Sequence, residues 1–468
     1  MQTNKTAKTR DIAARSGTVT KDPNHILKMG IWLYFYLWIF EGALRKWFLP
    51  QLSMPLLIVR DPIVLWLIFL AYQRGLFKPN FYLTAIVALG VLSFGAAMFM
   101  GHGDKWVAIY GARTMLLYFP MMFVIGNVFN QADVLKMGKV LLWIAIPMTV
   151  LLVLQFYSPQ TAWVNRGVGG DEEGAGFGGA LGYFRPPGTF SFTNGTTCFY
   201  SILAPFIIYY WLTPKKLNKY ILLLATGALL VAIPTSISRG LFLQVGVSVV
   251  FMLIAISRNP KYFGKVFIAT VLVVVAFALF SNVGFFQTAT EAFTSRFENA
   301  NESEGGLVEG TIGNRFFGAL IKAISFSTGS MVGMGVGSGT PLGALLLKDD
   351  TVARTADFEW LREIGEMGVM GLGLIMLRVG LTLKIAVASY HKLKKDDMLP
   401  WLLFSIGALV ISQGQLHQPT ILGFCALVGG LCMASFKSTV TKKTIVRKKK
   451  TGPVKQFSPD NLATRNPV

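Results

Sequence analysis

A chain of 468 residues that is 53% hydrophobic and only 14% charged, with a mean hydropathy of +0.52, is too apolar for a soluble protein of its length. Its net charge of +21 does not point to nucleic acid, because basic residues in an apolar chain report topology through the loops that hold them. Cys198, Cys425 and Cys432 form an odd set in apolar stretches, which argues against a disulfide framework or a metal spacing and for small buried side chains.

Apolar runs of roughly 18 residues or more are long enough to cross a hydrocarbon core of about 30 Å. They predict an all-α polytopic membrane protein with about twelve spans, at 26–44, 55–73, 80–100, 107–129, 136–157, 192–212, 218–235, 240–257, 263–281, 361–383, 399–412 and 418–436. Residues 1–25 read as a basic cytoplasmic tail without a cleavable signal, 26–436 as the membrane domain, and 437–468 as a second basic, disordered tail.

Between spans one and two, "FEGALRKWFLPQLSMPLLIVRDP" places Glu41 and Arg45 four residues apart and Arg60 beside Asp61. Ionisable groups at membrane depth are costly, so they either pair as a brace between the two spans or face a substrate. After span five, a long segment (158–191) contains Arg185 in "YFRPPGTF", where two prolines stiffen the backbone. Arg239 closes "PTSISRG" at the mouth of span eight, where a cation at a helix N-terminus is unfavourable unless an anion sits nearby.

A second long segment (282–359) carries Arg315 in "GNRFFGAL", read equally as a snorkelling interfacial arginine on a short amphipathic helix or as a ligand for phosphate. It also carries the glycine run "GMGVGSGTP". No strand precedes that run and no Lys-Ser/Thr pair follows, so it reads as a tight loop approaching a headgroup or a neighbouring helix rather than as a nucleotide loop. "DFEWLREIGEMGVMG" then crowds Asp357, Glu359, Glu363 and Glu366 with Arg362 onto the mouth of span ten. Of the four histidines only His417, in the short turn "SQGQLHQPT", is placed where a base could act, and a solvated turn histidine is the favoured reading of it.

Sorting the 44 lysines and arginines over these segments puts 29 on the side of the N-terminus, 11 on the other side and four within spans. That asymmetry predicts both termini in the cytoplasm and both long segments outside. The tail "KSTVTKKTIVRKKKTGPVK" then lies where anionic lipid headgroups attract basic charge.

Taken in order, "FRPPGTFSFTNG", "TSISRG", "GNRFFGAL…GMGVGSG" and "DFEWLREIGEMGVMGLG" resemble the O-antigen ligase and O-antigen polymerase family over roughly residues 80–435. The resemblance implies a bacterial inner-membrane glycosyltransferase with a C-type helical fold and a large extracytoplasmic loop between spans nine and ten. Such an enzyme moves glycan from an undecaprenyl-pyrophosphate carrier to an acceptor sugar, without a nucleotide sugar, metal or other cofactor. It also implies that Arg185 and Arg239 bind pyrophosphate and that Arg315 matches an arginine of the large loop. The family's last motif resembles His-Asn-x-Tyr-Leu followed by Glu-x-Gly-x-x-Gly. Here Glu366 matches its glutamate, and Asp357 stands where the family has histidine.

Asp357 or Glu359 is therefore expected to act as general base, with Arg45, Arg60, Asp61 and Glu366 in supporting positions. The Asp-x-Glu spacing leaves a divalent-cation site open as the alternative, and first-turn carboxylates favoured by the helix dipole as a third reading. Ligase and polymerase differ in acceptor and are not separated by these residues. The competing classes are a flippase for the same lipid and a non-catalytic scaffold.

Overall fold

A computed structural model describes residues 22–78, 80–213, 217–258, 260–264, 284–304, 331–348 and 358–437. The expected ninth span, Arg315, Asp357 and both basic tails lie outside them or nearly so. The described helices are α1 (His25–Phe48), α2 (Pro50–Gln73), α3 (Phe81–Phe99), α4 (Lys105–Val128), α5 (Gln131–Tyr157), α6 (Thr193–Leu212), α7 (Lys219–Thr235) and α8 (Arg239–Arg258). They continue with α9 (Gly284–Glu304), α10 (Pro341–Leu347), α11 (Glu359–Met367), α12 (Val369–Leu393), α13 (Leu399–Gln413) and α14 (Pro419–Ser435). One hairpin, β1 (Gly178–Ala180) with β2 (Tyr183–Phe184), precedes α6.

Eight of these helices, α1 to α6, α8 and α12, are long and apolar enough to cross a membrane, and α7, α13 and α14 are shorter apolar helices. The protein is thus a helical, multi-pass membrane protein. Helix starts follow local chemistry. Asn80 accepts from the Tyr82 amide and Asp104 from those of Trp106 and Val107. Asn130 and Asp133 form a capping box, which starts α5 at Gln131 rather than at the expected residue 136.

The expected tenth span (361–383) differs most. It is two helices, α11 and α12, joined at Gly368, whose φ of 56° and ψ of −128° suit glycine alone. Gly371 completes the joint, since a Cβ there would collide with the Glu363 carbonyl.

At the centre of the bundle α14 packs on α4, α12 on α13, α13 on α14, and α6 on both α8 and α13. Two of the described helices contain a π turn, Leu44–Phe48 in α1 and Thr114–Tyr118 in α4. A π turn adds one residue to the helical repeat and commonly marks a site. In α1 it turns the consecutive residues Arg45 and Lys46 both inward.

Candidate functional site

The first part of the site is a group of arginines. Leu181 and Gly182, with φ of 51° and 80°, close the hairpin in the tight turn that left-handed pairs favour. Tyr183 stacks on Phe156 at 4.6 Å, and the Arg185 amide bonds the Phe177 carbonyl at 2.9 Å. The hairpin thereby aims Arg185, and Pro186 and Pro187 keep it there. Gly188 (φ 60°) follows and is held from three sides. Gln155 bonds its amide and carbonyl at 2.8 and 3.2 Å, and Lys46 Nζ donates to the same carbonyl at 2.6 Å.

Arg239 starts α8 after Ile237, a fully buried β-branched residue at φ 45°, a strained conformation for such a side chain. Ser238 bonds the Leu241 amide at 3.2 Å and Thr197 at 2.9 Å, tying the start of α8 to α6. Arg296 reaches in from α9 and donates to the Gly178 and Gly179 carbonyls at 3.3 and 2.9 Å. Burial, reinforced by the charges of Arg296 and Arg239, pushes the Arg185 guanidinium down to about 10. Its Nε is buried without a partner. Three positive charges crowd one hairpin, and an anion bound among them would relieve both the repulsion and the unmet donor.

The second part is a buried ion-pair network at the mouth of α12. Glu359, Arg362, Glu363 and Glu366 of α11 and Arg378 of α12 are each at most 5% exposed. Arg362 bonds Glu359 at 2.7 Å and Glu366 at 2.6 Å. Arg378 pairs with Glu363, lies 3.6 Å from Glu359, and donates to the Ile411 and Gly414 carbonyls at 2.9 and 3.0 Å. Glu366 accepts from the amides of Gly337 and Gly339 at 3.2 and 2.9 Å. The glycine run therefore approaches neighbouring helices. Gly333 lies on the end of α11, and a Cβ on Gly337 (φ 95°) would collide with the Val107 carbonyl of α4.

Glu359 has both oxygens occupied. Oε1 accepts from the Leu416 amide at 3.0 Å and from Arg362, while Oε2 lies 3.3 Å from His417 Nδ1. Burial raises the pKa of this carboxylate. The Arg362 charge and the His417 bond outweigh that and hold it well below the usual carboxylate range. His417, expected to be solvated, is only 7% exposed. The turn carrying it is packed into the protein and not solvated. Trp360 bonds the Ser412 carbonyl at 2.8 Å, Asn194 bonds Gln418 at 2.7 Å, Arg60 the Pro419 carbonyl at 2.8 Å and Trp38 the Thr420 carbonyl at 3.0 Å. This one turn joins the carboxylate network, the start of α6 and the first two helices.

The N-terminal charges form a third network behind the turn. Glu41 lies 3.1 Å from Arg60 and 3.5 Å from Arg45, and Asp61 bonds Arg113 at 3.0 Å and the Tyr118 hydroxyl at 2.6 Å. Arg45 also donates to the Ser53 carbonyl at 2.7 Å and to Ser191 Oγ at 2.9 Å. Of the two readings open from the sequence, these partners correspond to the brace between α1 and α2, which extends to α4 and to the loop carrying Arg185.

Among the described residues no group of three or more His, Cys, Asp or Glu side chains has metal-binding geometry. Asp357, the other half of the Asp-x-Glu spacing, and Arg315 lie outside the described residues. The structure brings Arg185 and Arg239 together with Arg296, which no motif singles out. Compared with known proteins, the chain matches no protein-family profile, no curated protein and no solved structure.

Proposed function

We propose that this protein is a bacterial inner-membrane glycosyltransferase of the O-antigen ligase or polymerase type, with twelve spans and both termini in the cytoplasm. It transfers glycan from an undecaprenyl-pyrophosphate carrier to an acceptor sugar hydroxyl at the extracytoplasmic face. The observation that carries this reading is the crowding of Arg185, Arg239 and Arg296, with a buried unmet donor on Arg185, next to helix N-termini at the same end as a buried carboxylate network. Such a cluster suits a leaving pyrophosphate, whose charge grows as the glycosidic bond breaks. The apolar helices hold the prenyl chain, and the basic tail rests on anionic lipid.

In this mechanism the acceptor oxygen attacks the anomeric carbon as its proton passes to a base at the mouth of α12. The carbon–oxygen bond to the diphosphate breaks with its electron pair on the diphosphate, where Arg185 and Arg239 stabilise it. Substituting Arg185→Ala or Arg239→Ala should lower transfer about 100- to 1,000-fold, the range for losing one such donor, at unchanged protein level. Transfer at wild-type rate in both variants would overturn the assignment.

A flippase for the same lipid is the second reading, because Glu41–Arg60 and Glu363–Arg378 are buried ion pairs in a helical membrane protein, as transporters often have. Purified protein alone, given lipid-linked glycan, separates the two. Elongated or transferred glycan supports the enzyme, and movement of the lipid without new linkage supports the flippase.

A further inference from the structure

Glu359 is acceptor-only when ionised, so the contact to His417 assigns the ring proton: Nδ1–H donates and Nε2 carries the lone pair. Two further contacts make this orientation firm. The Leu416 amide bonds the other oxygen of the same carboxylate, so the backbone next to His417 is locked to the group that orients its ring. Arg362 fixes Glu359 from behind, and Arg378 stands 3.6 Å from it on α12. Nε2 has no hydrogen-bond partner among the described residues and is not among the buried orphan atoms, so it keeps some exposure.

We propose that His417 is the proton acceptor for the incoming hydroxyl and that Glu359 is its positioning residue. Resting on the glycan-transfer reading above, this moves the base off the carboxylates of α11 and onto the turn before α14. The acceptor O–H gives its proton to Nε2 while the oxygen forms the new bond to the anomeric carbon. The old bond breaks toward the pyrophosphate, which carries away the electron pair. His417 becomes an imidazolium, and the Glu359 carboxylate 3.3 Å away stabilises that charge. Glu359 is poorly suited to take the proton itself, since its oxygens are bonded to Arg362, Leu416 and His417.

The charged groups around this pair are Arg362, Glu363 and Glu366 on α11 and Arg378 on α12. On the far side of the turn stand Arg60, at the Pro419 carbonyl, and its partner Glu41. With Arg362 and Arg378 paired to the three glutamates, Glu359 is the acidic group that touches the ring.

The test uses the full-length protein in lipid nanodiscs, a synthetic undecaprenyl-pyrophosphate oligosaccharide as donor and a hydroxyl-terminated oligosaccharide as acceptor. His417→Gln should lower kcat by about 100- to 10,000-fold, the range for losing a general base, with the donor KM changed less than about threefold. His417→Ala should regain activity with added imidazole, which a purely structural histidine would not permit. Glu359→Gln removes the charge beside the imidazolium and the acceptor that orients the ring, so it should lower kcat by about 10- to 100-fold, the range for losing a group that orients a working histidine, with the donor KM changed less than about threefold.

Wild-type kcat in His417→Gln, or an inactive His417→Ala without imidazole rescue beside wild-type kcat in Glu359→Gln, overturns the proposal and leaves glycan transfer standing. Wild-type protein that transfers nothing overturns the transfer reading and the proposal with it. If neither His417 variant folds, the kcat of Glu359→Gln decides, and a wild-type value overturns the proposal.

Discussion

Arg378→Met tests whether the buried network at the mouth of α12 holds that end of the protein together. Arg378 is fully buried and has four partners: Glu363, Glu359 at 3.6 Å, and the carbonyls of Ile411 and Gly414. At an effective dielectric of about 20, the attraction to a charge at that distance is about 4–5 kcal/mol before any desolvation cost. Removing one member of a buried pair strands the other and costs about 3–5 kcal/mol. Glu363 is the stranded group, because its Oε1 bonds Arg378 and its Oε2 has no partner. The expected loss is about 3–5 kcal/mol, or roughly two to three and a half decades in the unfolding equilibrium.

The double variant Arg378→Met/Glu363→Leu replaces both charges with apolar groups, which is often close to neutral. It should be more stable than Arg378→Met alone, although it still lacks donors to Ile411 and Gly414. Equilibrium unfolding of the purified protein by SDS titration in mixed micelles measures all three. A loss below about 1 kcal/mol for Arg378→Met, or a double variant at least as damaged as the single one, would refute the buried-pair reasoning.

Two further outcomes follow from local geometry. Gly337→Ala should destabilise the protein by about 2–5 kcal/mol, combining a left-handed backbone with a Cβ driven into α4, whereas Gly373→Ala, with nothing near its Cβ, should not; a melt of each variant in detergent compares them. Leu181→Cys, on the exposed hairpin turn, should react with a membrane-impermeant maleimide in intact cells, and the exposed His391→Cys only after permeabilisation. The three native cysteines are buried and give little background, and the reverse labelling pattern would invert the topology.

Much of the helical layout was legible in the sequence. The described helices α1 to α8 and α12 to α14 each overlap an expected span. Boundaries moved where a side chain or a single glycine intervened, as at Asn130 and Gly368, because hydropathy averages over a window and a cap or a left-handed residue acts at one position. The charged stretch before α12 was visible as unusual, and its outer pair, Asp357 and Glu359, was selected for chemistry. That Glu359 is fixed by Arg362 and by the Leu416 amide was not visible, since those bonds need α11 to turn back onto the start of α14.

His417 shows the limit most clearly. Among four histidines it alone was placed where a base could act, yet its polar turn favoured a solvated reading, and no spacing rule joins it to Glu359, 58 residues away. Arg296 was one of eleven basic residues assigned outside and became distinctive only beside Arg185.

The sequence by itself determined that this protein resides in a membrane, where most of its helices run, and which few segments carry charge beside them. These follow from composition summed over short windows, which no tertiary contact can reverse. Only the tertiary structure decided which charges meet. The Glu41–Arg60 and Glu363–Arg378 ion pairs and the Glu359–His417 contact depend on the register in which the helices pack. That register is set by close packing, at glycines such as Gly371 and Gly423 and at the π turn of α1 that turns Arg45 and Lys46 inward.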